Sequence, residues 1–151
     1  MADRESLAEL VGLWLPQLDA EKKQRLEPAL EIYKRRCKTL IELAHAVTPC
    51  MVEDEELYLD PAEVAMLLSP EMRSYLLELS SLVEGLGPLE RQRLKSSMWE
   101  QLAARGLGFR QVAPACRLAL IGTSAGPRLL DVMIVIGRES VVTRLRRAAE
   151  L

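Results

Sequence analysis

Apolar residues recur along this chain at three- and four-residue steps, the spacing that aligns side chains on one face of a helix. The clearest run is Leu26, Leu30, Tyr33, Cys37, Leu40, Ile41 and Ala44, which predicts a long helix over residues 20–47. Pro28 either kinks that helix or marks its true start. Further helices are expected near residues 4–15, 61–68, 70–84, 88–105, 114–121, 127–136 and 138–150. Their boundaries come from punctuation. Asp60-Pro61, Ser69-Pro70, Gly87-Pro88 and Gly126-Pro127 each place a capping-type residue before a proline. Proline at the first helical position gives up no needed N–H and presets φ. Gly85, Gly106, Gly122 and Gly137 stand where C-terminal caps are expected. Two short apolar runs, residues 116–121 and 132–136, suit either a strand or a buried helix. The proline start and glycine stop around each favour helix.

Composition narrows the fold. Of 151 residues, 49% are hydrophobic, only 4% are aromatic and 28 are leucine. A Leu-rich chain poor in rings and β-branched residues points away from sandwiches and barrels and towards an all-α protein. The same balance excludes a disordered tail and a disulfide scaffold. The break Gly85-Leu-Gly-Pro88 suggests two small helical subdomains, residues 1–86 and 87–151. The most apolar stretch, residues 118–136, is interrupted by Gly126, Pro127, Arg128 and Asp131, so no membrane span is expected. The charged start merges into an amphipathic segment and has no signal-peptide character, so a cytoplasmic location is expected. Cys37, Cys50 and Cys116 form an odd, widely spaced set suited to reduced thiols, and with the single His45 they make no metal-ligand spacing.

Net charge is only −2, but it is strongly segregated. Residues 1–21 carry −4, residues 22–38 carry +5, residues 39–90 carry −10 and residues 91–151 carry +7. One reading is ordinary solvated helix faces. The sharper reading is two basic surfaces for a polyanion, with the acidic segment elsewhere.

No catalytic constellation is evident. A Ser or Cys triad would need His45, which sits among apolar helical neighbours and suits a partly buried structural role. Gly122-Thr-Ser-Ala-Gly126 faintly resembles a phosphate loop, but no Lys-Ser or Lys-Thr follows it. The run Glu53 to Glu56 lacks the alternate spacing and glycine of a Ca²⁺ loop. The basic segments carry more information. Lys34, Arg35, Arg36 and Lys38 cluster within two turns, with Arg35, Arg36 and Lys38 expected on the exposed side. Arg117 stands alone in an apolar helix: either it snorkels to the surface, or it is a braced guanidinium suited to bidentate recognition of a base edge or phosphate. Gly126-Pro127-Arg128-Leu129 offers a tight turn with open backbone groups and a projecting apolar side chain. Arg144, Arg146 and Arg147 on the last helix either complement its dipole or contact phosphate.

Several motifs in order resemble one family. Gln111-Val-Ala-Pro-Ala-Cys-Arg117-Leu-Ala-Leu-Ile-Gly122, then Gly126-Pro127-Arg-Leu129, resembles the C-terminal end of bacterial glutamyl-tRNA synthetases. So do Ile136-Gly137-Arg-Glu139 and Val142-Thr-Arg144-Leu145. Leu30-Glu-Ile-Tyr-Lys-Arg-Arg36-Cys-Lys-Thr39-Leu40 is similar to the family's Arg-x-x-Thr-Leu helix. The order and spacing extend over residues 20–151. The chain departs from the pattern at Cys116, Ile121, Gly126 and Arg128.

This resemblance implies an all-helical anticodon-binding region of two helical subdomains, with the anticodon loop of tRNA(Glu) as partner. Arg36 matches the arginine at the third anticodon base, Arg117, Pro127 and Leu129 match positions around the first two, and Gly126 is a candidate beside them. Lys34, Arg35, Lys38, Arg128, Arg144 and Arg147 are candidates for the RNA backbone. His-Ile-Gly-His-like and Lys-Met-Ser-Lys-like segments are absent, so a fragment is expected. Its N-terminal catalytic domain, which would bind ATP and Mg²⁺ and attach glutamate to the tRNA, then lies outside this chain. No catalytic residue, metal or cofactor is expected within it. The physics is compatible, because sequence-specific RNA readers target splayed loop bases with arginine planes and apolar platforms. The scarcity of aromatics points away from a stacking-driven single-strand binder. The competing reading is a helical protein–protein interaction module without RNA binding.

Overall fold

A computed structural model describes residue 15 and residues 18–151. The helix expected at residues 4–15 falls almost wholly outside these described residues. Among them are eight α-helices and no strand, as composition implied. They are α1 Ala20–Tyr33, α2 Leu40–Met51, α3 Pro61–Leu67, α4 Pro70–Gly85, α5 Arg91–Arg105, α6 Phe109–Ile121, α7 Leu129–Ile136 and α8 Arg138–Ala149. Both ambiguous apolar runs are helical.

The punctuation works at Asp60 and Ser69. Their side chains accept the N–H of Ala62 at 2.9 Å and of Met72 at 3.2 Å, and α3 and α4 begin at the following prolines. It fails at the two Gly-Pro pairs. Glycine has no capping oxygen, so α5 starts at Arg91 and α7 at Leu129, with Pro88 and Pro127 left in the preceding turns. Gly106, Gly122 and Gly137 adopt positive φ as stops, whereas Gly85 simply ends α4. At Gly122 a Cβ would strike the Tyr58 carbonyl, so glycine is needed there on two counts.

The long helix over 20–47 is in fact two. After Tyr33 the chain makes a 3₁₀ turn, Lys34–Arg36, and Cys37 is extended. Thr39 then caps α2: its Oγ1 accepts the Glu42 N–H at 3.1 Å, while Glu42 accepts the Lys38 N–H at 2.7 Å. Thr39-Leu-Ile-Glu42 is a capping signature that the apolar stripe concealed. Leu40 and Ile41 continue that stripe on paper but are exposed, at 37% and 49%. His45 is exposed on α2 rather than partly buried. Helix α6 begins at Phe109, not at Pro114, because Gln111 reaches back to the Gly108 N–H at 2.5 Å.

Two compact units result, Met1–Glu53 and Asp54–Leu151. The boundary differs from the expected division at 86/87. Residues 54–86 belong with the C-terminal helices, since α4 packs along α8 and the 3₁₀ turn Asp54–Glu56 also packs on α8. In the first unit α1 and α2 pair through Leu26, Ala29, Leu30, Leu43, Ala44 and Val47. Lys22 and Arg25 donate to the carbonyls of Val52 and Cys50, at 3.2 and 3.0 Å, where α2 has run out of N–H partners. In the second unit α6 is central, touching α3, α4, α7 and α8. Eight of its residues are buried, which explains its strand-like apolar run. Leu76, Leu79 and Val83 of α4 are wholly enclosed, each contributing roughly 1.5–3 kcal/mol.

Two buried groups give tests. The Tyr75 hydroxyl is enclosed with no hydrogen-bond partner among the described residues. Tyr75→Phe is expected to raise unfolding free energy by about 1 kcal/mol in urea melts, because it removes an unsatisfied polar atom while keeping the ring. The Cys116 thiol is pushed from its ordinary 9.0 up to about 12, chiefly by burial, with Arg117 pulling the other way. Its folded value lies above its unfolded one. The stabilisation it provides is therefore complete below pH 9.0 and lost as pH rises towards 12. Urea midpoints are expected to fall between about pH 9 and about pH 11, and Cys116→Ala to make that fall shallower.

Candidate nucleic-acid interface

Arg117 lies on α6 one turn before its glycine stop. It is half-buried, and its Nε donates to the Pro127 carbonyl at 2.9 Å. Its two terminal nitrogens have no hydrogen-bond partner among the described residues, so the fork is aimed but unspent. The turn that fixes it is tight. A Cβ on Gly126 would come within 2.9 Å of Ile121 Cδ1, so Gly126 lets the chain cross the end of α6. Pro127 is buried. Leu129 is 1% exposed and does not project. The expectation of open backbone groups and a protruding apolar side chain is therefore corrected: the Pro127 carbonyl is occupied, and Leu129 anchors α7 in the core.

Around Arg117 lies a cleft of about 260 Å³. Arg128, Arg91 and Lys95 give it positive walls, Trp99 and Phe109 an aromatic edge, and Leu129 and Leu130 apolar backing. Arg91 is paired with Asp131. Lys95 and Arg128 are exposed cations with no ion-pair partner among the described residues. Trp99 and Phe109 form a tilted ring pair with centroids 5.6 Å apart. Sequence reasoning passed over Arg91, Lys95, Trp99 and Phe109. A signal existed for three of them: Arg91, Lys95 and Trp99 are spaced by four and share one face of α5.

The Gly122–Gly126 loop does not cradle phosphate. Ser124 Oγ donates to the Glu63 carboxylate at 2.5 Å, which puts negative charge where an anion would lie. Among the described residues no group of three or more His, Cys, Asp or Glu side chains could hold a metal ion, and no helix is long and apolar enough to cross a membrane.

In the first unit Arg35, Arg36 and Lys38 are exposed around the 3₁₀ turn and the link into α2, beside exposed Leu40 and Ile41. Lys34 is also exposed and pairs with Glu31 at 3.2 Å. Arg35, Arg36 and Lys38 remain available for a polyanion.

The last helix is different. Arg144 is 1% exposed. Its Nε meets Asp54 at 2.7 Å and its Nη1 donates to the Leu120 carbonyl at 2.7 Å. Arg147 donates to the carbonyls of Asp54 and Leu57 at 3.2 and 2.7 Å. Arg146 reaches Glu84 at 3.0 Å. Buried Arg144 is therefore not a phosphate contact, and the second unit uses the Nη1 of half-buried Arg147 internally. Removing the buried pair's acid takes from an enclosed cation the carboxylate that meets its Nε. Asp54→Ala is expected to cost about 3–5 kcal/mol in urea melts, far more than an exposed pair such as Lys34–Glu31, whose loss should cost under about 1 kcal/mol.

Comparison with known proteins agrees in kind. A family model described as an anticodon binding domain matches residues 6–149. A glutamate–tRNA ligase of Nitratidesulfovibrio vulgaris is 34% identical over 147 residues, covering 95% of this chain and 32% of that protein. Glutamate–tRNA ligase 1 of Cereibacter sphaeroides is 32% identical over 146 residues, 97% of this chain and 30% of that protein. A crystal structure of a glutamate tRNA ligase from Elizabethkingia meningosepticum, in complex with its amino acid, superposes with a TM-score of 0.81 at 22% identity, over 99% of this chain and 29% of that one. That likeness establishes the fold. The chain spans about a third of the length of the curated relatives it matches.

Proposed function

Because this chain belongs to the anticodon-binding domain family, we propose that it is the anticodon-binding module of a glutamate–tRNA ligase and recognises the glutamate anticodon loop. The observation that carries the reading is Arg117: it is anchored through Nε on the Pro127 carbonyl, and its free fork lines a basic cleft with an aromatic edge. A guanidinium held at one nitrogen loses little freedom when the other two bind, which suits base-edge or phosphate recognition. Arg36 supplies a second reading position, at the third anticodon base. Gly126, Pro127 and Leu129 act by shaping and bracing the Arg117 site. Lys34, Arg35, Lys38 and Arg128 contact the RNA backbone.

Glutamate activation with ATP and Mg²⁺ belongs, on this reading, to a separate catalytic domain of the same cytoplasmic enzyme. The one phosphate-loop-like segment, Gly122–Gly126, is bonded to Glu63 instead. A protein–protein module remains the alternative that the following test decides against or for.

Filter binding of the chain to a stem-loop with the glutamate anticodon is expected to exceed binding to an unrelated loop, and to weaken with salt. Arg117→Ala should cost about 1–3 kcal/mol, the size of a lost bidentate base contact. Arg128→Ala should weaken all loops alike and reduce the salt slope by about 0.7. Arg36→Gln should narrow the preference for the glutamate over the glutamine anticodon. Binding that ignores both Arg36→Gln and Arg117→Ala would sink the assignment.

A further inference from the structure

We propose that Trp99 is a stacking platform for one unpaired base of the RNA loop, making it a specificity-supporting residue beside Arg117. The proposal rests on the RNA-binding reading of the same cleft and deepens it.

The core does not require Trp99. Helix α5 is held by Leu94, Met98 and Leu102, which are wholly buried and spaced by four. Trp99 follows Met98 directly, so it points about 100° away from that stripe. It is 47% exposed, an unusual position for the largest apolar side chain on a helix that is otherwise polar outside its core stripe. Leaving such a ring half in water forfeits the stabilisation that burying its apolar surface would bring. The ring is nonetheless ordered by contact. Phe109 packs against it at 5.6 Å between centroids with a 32° tilt, so it is braced before any ligand arrives. It borders the same cleft as Arg117, Arg128 and Lys95.

This set has the two parts that single-stranded recognition needs: cations for the phosphate path and a π-face for a base. An acidic peptide would use the cations but has no need of the indole. An apolar peptide would use the indole but meets three cations not cancelled by a carboxylate among the described residues. A flat, polar-edged base uses both, since it can stack on Trp99 and present its edge to the Arg117 fork.

The test uses the full chain and an RNA stem-loop carrying the glutamate anticodon. The chain holds two tryptophans, Trp14 and Trp99. In a Trp14→Phe background the emission therefore reports Trp99, and saturable quenching is expected at the affinity found by filter binding. In the otherwise unchanged chain, Trp99→Ala should weaken binding roughly 5- to 150-fold and Trp99→Phe much less, with the salt slope unaltered because no phosphate contact is lost. Loops with single abasic sites locate the base: at one position the Trp99→Ala penalty should vanish. If the parent chain binds but Trp99→Ala binds equally well, or every abasic loop keeps the full penalty, Trp99 is no platform while the RNA reading stands. If the parent chain binds no better than to an unrelated loop, the RNA reading falls and this inference with it.

Discussion

The buried pair between Arg144 and Asp54 organises the second unit. Arg144 is enclosed, so its charge must be met on every side. Asp54 meets the Nε at 2.7 Å, and the Leu120 carbonyl accepts from Nη1 at 2.7 Å. That carbonyl is one of the last of α6, left without an intrahelical partner by the glycine stop. One guanidinium thus ties the segment following the unit boundary, the last helix and the end of the central helix together. Arg117 stands one turn upstream of Leu120, so its position depends on this tie.

The same economy explains the segregated charge. The acidic window over residues 39–90 and the basic window over 91–151 do not face different partners throughout. Part of each is spent on the other inside one unit, as Arg146 with Glu84, Arg105 with Glu78 and Arg144 with Asp54. What survives as exposed positive surface is a smaller set, which includes Lys95 and Arg128 at the cleft, Arg93 and Arg110 elsewhere in the second unit, and Lys23, Arg35, Arg36 and Lys38 in the first. The positive charge left facing solvent is this remainder, not the window total.

Much of the architecture is legible in the sequence. Helices at 61–67, 70–85 and 138–149 begin and end within a residue or two of expectation, because capping side chains and Pro-start signals act over three or four residues. Errors arose where two local signals competed. The apolar stripe through Cys37, Leu40 and Ile41 ran on across a cap at Thr39, and the cap won because it satisfies N–H groups that a stripe cannot. At Gly126-Pro127 the proline suggested a start, but its carbonyl is claimed by Arg117 from ten residues away.

The amino-acid order alone therefore settled the all-helical class, most helix ends and the order of family motifs, since each depends on spacing along the chain. It could not apportion the arginines. Arg117, Arg128, Arg144 and Arg147 carry the same group on similar helical stretches, and their different fates depend on neighbours that folding brings together. Arg144 is 90 residues from Asp54 and Arg147 is 90 from Leu57. Only tertiary structure decided which cations were consumed in holding the protein together and which, with Trp99 beside them, were left facing water.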